Sequence, residues 1–504
     1  MSGARAAALL AAAADLGREG PDKLFLDLLD RARRADPSLS CLRRCVDVLH
    51  ETGRGPLAAD MLTAIPDWMM GPDGPDCGWS AKMREGYGLS APGDPAGQLI
   101  LSFCFPPFAE SAGYVMAKRL ADMDAPADII SNDMSGRSRL DTGFYTAIRP
   151  LIGQHLVLNC ENRPASAASC RDFAEGAVAA LASRRFGREE YERVYSRSMW
   201  PQSHFAAALM KRQGRAGCWT AEFSDPCRLD IFGQESRAAN DDGWIETSGL
   251  ADELRQRGFP VPAGRSLLYW CEYLAFCLAD EIVFTNPNQR DAMLTQDYPS
   301  DVLARAVACA RIAPHPLPAP DLIAAAPPSA RPDDGLHPAR IGYFGHANPR
   351  RGGAEILDAL AALPMEIRAA IRFHIFGRQS AEFCDAVTGL GVAALIRAEE
   401  ALPYLEAFSR MREMDYLLIG DTKRAERFEK NPYLPSKYAD YLAAGRPLIA
   451  LVEPGSILSE ARLPEGSYRV RLKETEGLAE VLGTIVEERF LPLEAGSLTS
   501  CIVQ

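Results

Sequence analysis

The chain has no polybasic cluster, and its formal net charge is −12. A partner presenting a phosphate backbone calls for a basic domain or stripe, so nucleic acid is not an expected partner. No run is apolar and long enough to span a bilayer. The nearest approach, Ala6 to Ala14, is short and alanine-rich, and it lacks the basic lead, apolar core and cleavage order of a signal peptide. No integral membrane segment and a cytoplasmic location are therefore expected. There is no CxxC pair among the 13 cysteines. Cys41 and Cys45, four apart on a helical pattern, read as buried free thiols rather than a metal site or a disulfide, which suits a reducing compartment. No DxD pair closes a strand either: Asp133, Asp141 and Asp225 stand alone, so no metal requirement is expected.

What is present is ordinary globular sequence, 47% apolar and 24% charged. At 504 residues it is too long for a single hydrophobic core. Residues 1–90 read as a helical N-terminal region. Lys23 to Arg34 and Ser40 to Thr52 space Leu and Val by three and four, and Gly53-Arg54-Gly55 precedes a further run, Leu57 to Ile65. One helix-hairpin unit fits either a degenerate tetratricopeptide pair or a plain helical cap. Gly71 to Gln98, rich in Gly, Pro and Asp, reads as a linker, so this region is expected to fold separately.

Period changes at Leu99. Short apolar runs at Leu99 to Phe105, Asp128 to Ser131, His155 to Asn159, Cys218 to Phe223 and Glu281 to Thr285 alternate with helical runs over residues 98–315. Such alternation implies a parallel sheet covered on both faces. Residues 187–215 and 228–265 exceed a minimal crossover and read as helical insertions. A Pro-rich connector, Pro314 to Arg340, precedes a second series over 338–490. Its predicted strands are Arg340 to Phe344, Arg372 to Phe376, Ala394 to Arg397, Asp415 to Ile419, Pro447 to Val452 and Tyr468 to Leu472. The class is α/β, with two doubly wound, Rossmann-like domains.

Within the second series stands Asn431-Pro432-Tyr433-Leu434-Pro435-Ser436-Lys437-Tyr438-Ala439-Asp440-Tyr441-Leu442-Ala443-Ala444-Gly445-Arg446-Pro447-Leu448-Ile449. It resembles the donor segment P-S-K-x-x-E-Y-x-A-x-G-x-P-V-I of the family-four retaining glycosyltransferases. Phe105-Pro106-Pro107 with Gly113, Glu222-Phe223-Ser224-Asp225-Pro226, and Ile341-Gly342-Tyr343-Phe344-Gly345 with Arg350-Arg351 resemble three further stretches of that family. The likeness covers about residues 98–490. It implies the GT-B architecture, in which the active site lies in the cleft between an acceptor domain and a donor domain, and metal-independent transfer of a sugar from a nucleotide-sugar donor.

On that reading Arg351 and Lys437 are the catalytic cations. A departing diphosphate needs positive charge and N–H donors aimed at its oxygens. Gly345, His346, Arg350, Ser436 and Asp440 join them on the donor side: Ser436 at a helix N-terminus suited to an anion, and Asp440 one turn deeper on the face of Lys437 for the ribose. Gly113, Glu222 and Asp225 fall on the acceptor side. The pattern departs from the family at three places: Asp440 replaces a Glu, Pro432 stands where the first Glu of the paired signature belongs, and His346 stands where the family has Arg. Each residue also has a structural reading. Ser436 can be a plain cap, Lys437 and Asp440 a solvated pair, Arg350 and Arg351 a surface turn, Asp225 before Pro226 a turn; their joint order favours the site. His315 reads as a connector residue, and His155 and His204 as structural. No cofactor beyond the nucleotide-sugar substrate is expected. The acceptor, whether saccharide, lipid-linked glycan, small molecule or protein, is left open. The alternatives are a nucleotide-sugar epimerase of the same fold and a degenerate binding protein. A dinucleotide oxidoreductase is disfavoured, because Gly342 and Gly345 lack GxGxxG spacing.

Overall fold

The computed structural model describes residues 2–16, 24–25, 28–29, 31–32, 39–54, 58, 95–123, 125–164, 166–183, 186–236, 238–329, 338–347 and 353–497, with side chains up to 488. Two compact units divide the chain. Unit 1 takes Met1–Arg228, Ser236–Phe284 and Asp297–Arg311; unit 2 takes Leu229–Glu235, Thr285–Gln296 and Ile312–Gln504.

Unit 1 holds a seven-stranded sheet in the order β3-β2-β1-β4-β5-β6-β7. Its strands are β1 (Gln98–Leu101), β2 (Ala127–Asn132), β3 (Ile152–Leu158), β4 (Tyr191–Ser198), β5 (Ala216–Phe223), β6 (Glu281–Phe284) and β7 (Ala310–Ile312). β1 and β2 are buried along their whole length, as expected of parallel strands with helices on both faces. The run 187–215 is not an insertion. It contains β4, whose register runs from Tyr191 against Ala216 to Ser198 against Phe223 on β5, and the helix Gln202–Arg212. β4 reads YERVYSRS, and its charges hide it from a hydropathy reading. The run 228–265 does carry two short helices, Trp244–Thr247 and Leu250–Gln256.

In the helical start, Ser2–Asp15 and Leu39–Glu51 share an apolar cluster that includes Ala6, Leu10, Phe25, Cys41, Cys45 and Leu49, against which Leu140 packs. Most of the linker and of the run from Leu57 lies outside the described residues.

Two histidines are sealed inside unit 1. His204 Nδ1 lies 2.8 Å from Ser196 Oγ, which also accepts the Trp219 indole N–H at 2.7 Å. His155 lies between Ser131 Oγ at 2.8 Å and the Tyr145 hydroxyl at 3.0 Å. Burial holds both imidazoles down at about 3 from an ordinary 6.5. In the unfolded chain each takes a proton near pH 6.5, but in the folded chain only near 3, so in that window the unfolded state binds more protons and acid destabilises the fold. Urea-unfolding midpoints are expected to fall as pH is lowered from about 6.5 toward 3. A midpoint constant across that range would contradict neutral burial.

The sheet of unit 2 has six strands in the order β10-β9-β8-β11-β12-β13, all parallel. They are β8 (Ala339–Phe344), β9 (Ile371–Phe376), β10 (Ile396–Glu399), β11 (Tyr416–Gly420), β12 (Leu448–Val452) and β13 (Tyr468–Arg471). Side chains alternate across it. Ile341, Phe373, Leu418 and Ile449 enter one core with Ile356, Leu360 and Leu482, while Phe344, Phe376, Leu417 and Leu448 enter another with Phe408 and Tyr441. The helices Ala354–Ala362 and Thr475–Ser497 cover the first face, and Tyr404–Glu413 and Lys437–Ala444 the second. This is a doubly wound Rossmann-like sheet. The order turns back at the β8–β11 pair, the switch point at whose carboxyl ends open α/β sheets bind ligands.

Candidate functional site

At the switch point β8 runs out into Gly345 and His346. Gly345 takes φ 139° and donates its N–H to Phe376 O at 3.0 Å. Gly377, after β9, takes φ 152°, and a Cβ there would collide with the Gly345 carbonyl. Only glycine permits both the conformation and the contact. Tyr441, fully buried, accepts the Phe344 N–H on its hydroxyl at 3.0 Å and so fixes the helix Lys437–Ala444 against the end of β8.

That anchoring brings Lys437 and Gly345 together. The Lys437 ammonium lies 3.9 Å from the centroid of the Tyr343 ring. A Cβ on Gly345 would stand 3.1 Å from Lys437 Nζ, so glycine leaves the cation its place. The aromatic face attracts an ammonium and orients it without neutralising its charge. Sequence reading missed Tyr343 as a positioning residue; its only signal was an aromatic side chain two residues before Gly345. Ser436 precedes the helix in αR conformation, and its side chain makes no capping bond. Asp440, one turn on from Lys437, accepts the Tyr404 hydroxyl on Oδ1 at 2.6 Å; Tyr404, from the helix Tyr404–Glu413, was also missed. His346 is exposed, and its carbonyl accepts the Tyr343 hydroxyl at 3.3 Å. Arg350 and Arg351 lie outside the described residues.

The segment leading into this helix is held from behind. Asn431, fully buried, donates to Thr422 O at 2.7 Å and to Glu453 Oε2 at 3.0 Å, and its Oδ1 accepts Tyr433 N at 3.0 Å. Asn286 Nδ2 donates to Pro432 O at 3.1 Å, and Asn288 Nδ2 to Asn431 O at 3.0 Å. His315 Nε2 sits 3.3 Å from Leu434 O, so it braces the donor segment. Just after β11, Asp421 is fully buried: its Oδ2 accepts Glu453 N at 2.9 Å, and burial raises its carboxyl to about 6.

Three of the predicted residues lie in unit 1. Gly113 opens the helix Ser111–Ala121 so close to the loop after β1 that a Cβ would meet Phe105 Cα at 3.1 Å. Asp225 is partly buried in the turn after β5. Glu222 is 0% exposed and points into the interior. Arg119 Nε and Nη2 donate to it at 3.2 and 3.3 Å, Arg197 Nε at 3.2 Å and the Tyr195 hydroxyl at 2.5 Å. Burial by itself would raise this carboxyl, but Arg197 and Arg119 outweigh it and hold it down at about 2. An ionised carboxylate with those four donations is a charge-paired core element.

No family model matches the sequence, and no curated protein matches it. Solved structures do match in fold. The catalytic domain of starch synthase IV from Arabidopsis thaliana, bound to ADP and acarbose, is 12% identical and covers 79% of this chain and 92% of that one, with a TM-score of 0.51. A sucrose-phosphate synthase from Thermosynechococcus elongatus is 12% identical over 78% of this chain and 90% of that one, at 0.46. A Listeria monocytogenes structure assigned to UDP-N-acetylglucosamine 2-epimerase is 10% identical over 78% and 87%, at 0.46. The two parallel sheets and the match to the starch synthase domain make the fold GT-B: two Rossmann-like domains, here with a helical N-terminal region. Among the described residues no helix is long and apolar enough to cross a membrane.

Proposed function

We propose that the chain is a retaining glycosyltransferase that moves a sugar from a nucleoside-diphosphate sugar to an acceptor hydroxyl without a metal. The observation that carries the reading is the placement of Lys437 at the β8 end of the switch point, oriented by Tyr343 and given room by Gly345. A cation held there before substrate arrives stabilises charge growing on a leaving diphosphate without reorganising. The N-terminus of the helix Lys437–Ala444 adds N–H groups and a favourable dipole beside it. Arg351, from the loop after Gly345, is the proposed second cation, with Arg350 beside it and the exposed His346 in place of the family's Arg. Asp440 takes the ribose hydroxyls.

The test is mass spectrometry of a nucleotide-sugar panel incubated with the protein, with and without candidate acceptors. Transfer, or slow donor hydrolysis with the anomeric configuration retained, supports the proposal. Release of an epimerised sugar without an acceptor would assign an epimerase, and absence of both binding and turnover would leave a degenerate fold.

Asp440 separates binding from chemistry. Ribose hydroxyls change little during transfer, so Asp440→Ala is expected to raise the donor KM by roughly tenfold, the worth of a lost hydrogen bond to a charged group, and to leave kcat nearly unchanged. Tyr404→Phe frees the Oδ1 that Tyr404 now holds and should shift KM in the same direction by less. A fall in kcat with constant KM would remove Asp440 from the ribose.

A further inference from the structure

A cavity of about 480 Å³ opens at the carboxyl ends of β11, β12 and β13, and none of the donor-site residues lines it. Three cations do: Lys423 after β11, Arg471 at the end of β13, and Lys473 just beyond. Two carboxylates, Glu453 and Glu474, share the lining; Glu453 is engaged elsewhere, and the three cations outnumber the carboxylate that remains. Glu453 accepts Asn431 Nδ2 at 3.0 Å and Arg424 N at 3.1 Å, with Arg424 Nε 3.9 Å away. Glu474 is exposed at the start of the helix Thr475–Ser497, where a carboxylate answers the helix dipole. Lys423, Arg471 and Lys473 make no side-chain hydrogen bond or ion pair with the described residues.

Like charges gathered on one depression repel, and Lys473 also takes φ 73°, a conformation most side chains avoid. An anion in the cavity answers the repulsion. The carboxyl edge of a parallel sheet is where such folds take ligands, and the volume falls within the roughly 300–1,000 Å³ of small-molecule sites, larger than a bare phosphate needs. We propose that this cavity binds a phosphorylated small molecule of sugar-phosphate size. Arg471 grips the phosphate ester as a fork, and Lys423 and Lys473 add point charges. The proposal does not depend on glycosyl transfer.

Isothermal titration calorimetry on the full chain tests it, with glucose 6-phosphate as probe and glucose and inorganic phosphate as comparators. Saturable binding of glucose 6-phosphate is expected, tighter than that of inorganic phosphate and absent for glucose. The exposed cations can be exchanged without disturbing a core, so Lys423→Gln with Arg471→Gln should weaken it by at least about tenfold, with an unchanged circular dichroism spectrum. Lys437→Gln should leave it as it was. A saturating nucleoside diphosphate should not displace the probe; displacement would make the cavity part of the donor site and overturn the proposal. So would equal affinity for inorganic phosphate, or no saturable heat below roughly 10 mM. Failure of the donor reading alone would show instead as absent nucleoside diphosphate binding with glucose 6-phosphate binding intact.

Discussion

Lys437→Ala is expected to cut nucleotide-sugar turnover about a hundredfold or more while the thermal midpoint barely moves. A preorganised donor aimed at developing charge contributes roughly 3–4 kcal/mol at the transition state, whereas a partly exposed cation over an aromatic ring contributes about 0.5–1 kcal/mol to folding. Lys437 is partly exposed and rests on Tyr343, so its loss removes little packing. Because the stabilisation grows as the sugar–oxygen bond breaks, kcat should fall more than KM rises. Tyr343→Leu keeps the charge and removes the ring, and an intermediate loss there would show that orientation matters as well as charge. Arg351→Ala is expected to act in the same way. Wild-type turnover in both cation variants would mean that the donor diphosphate is held elsewhere.

Glu222→Gln should act on the fold instead. Glutamine has the same shape but no charge, so it removes the counter-ion of the Arg197 guanidinium, 2% exposed, and leaves Arg119, 12% exposed, to pair with Asp122 at 3.6 Å. Removing one partner of a buried ion pair costs about 3–5 kcal/mol. For a unit of this size that is a fall in thermal midpoint of roughly 10 °C. Nucleotide binding, which the proposed function assigns to unit 2, should survive at temperatures where the variant is folded. The pH dependence has a definite sign. The carboxyl titrates near 4.5 when unfolded and near 2 when folded, so its contribution is fully present above about 4.5 and is lost as pH falls toward 2. The Gln variant should lack that component of acid sensitivity. An unchanged midpoint, together with lost transfer, would return Glu222 to the acceptor side.

By itself the sequence determined the two α/β series and, to within two residues, every strand of the second sheet: four are short apolar runs, β13 alternates Tyr468, Val470 and Leu472, and β10 shows at its apolar start, Leu395-Ile396. It also singled out Lys437, Gly345 and Asp440, since a diphosphate demands cations, close backbone approach and a helix N-terminus in a recognisable order. Tertiary structure alone decided the rest. β4 was hidden because Arg197 is charged, and a charged residue belongs in a central strand only when strand order sets Glu222 directly beside it in register. β7, three residues long, is too brief to show a period. Tyr343 under Lys437 and Tyr404 on Asp440 are contacts between elements far apart in the chain. Local periodicity says which face a side chain takes, but strand order and helix docking choose the partner it meets there.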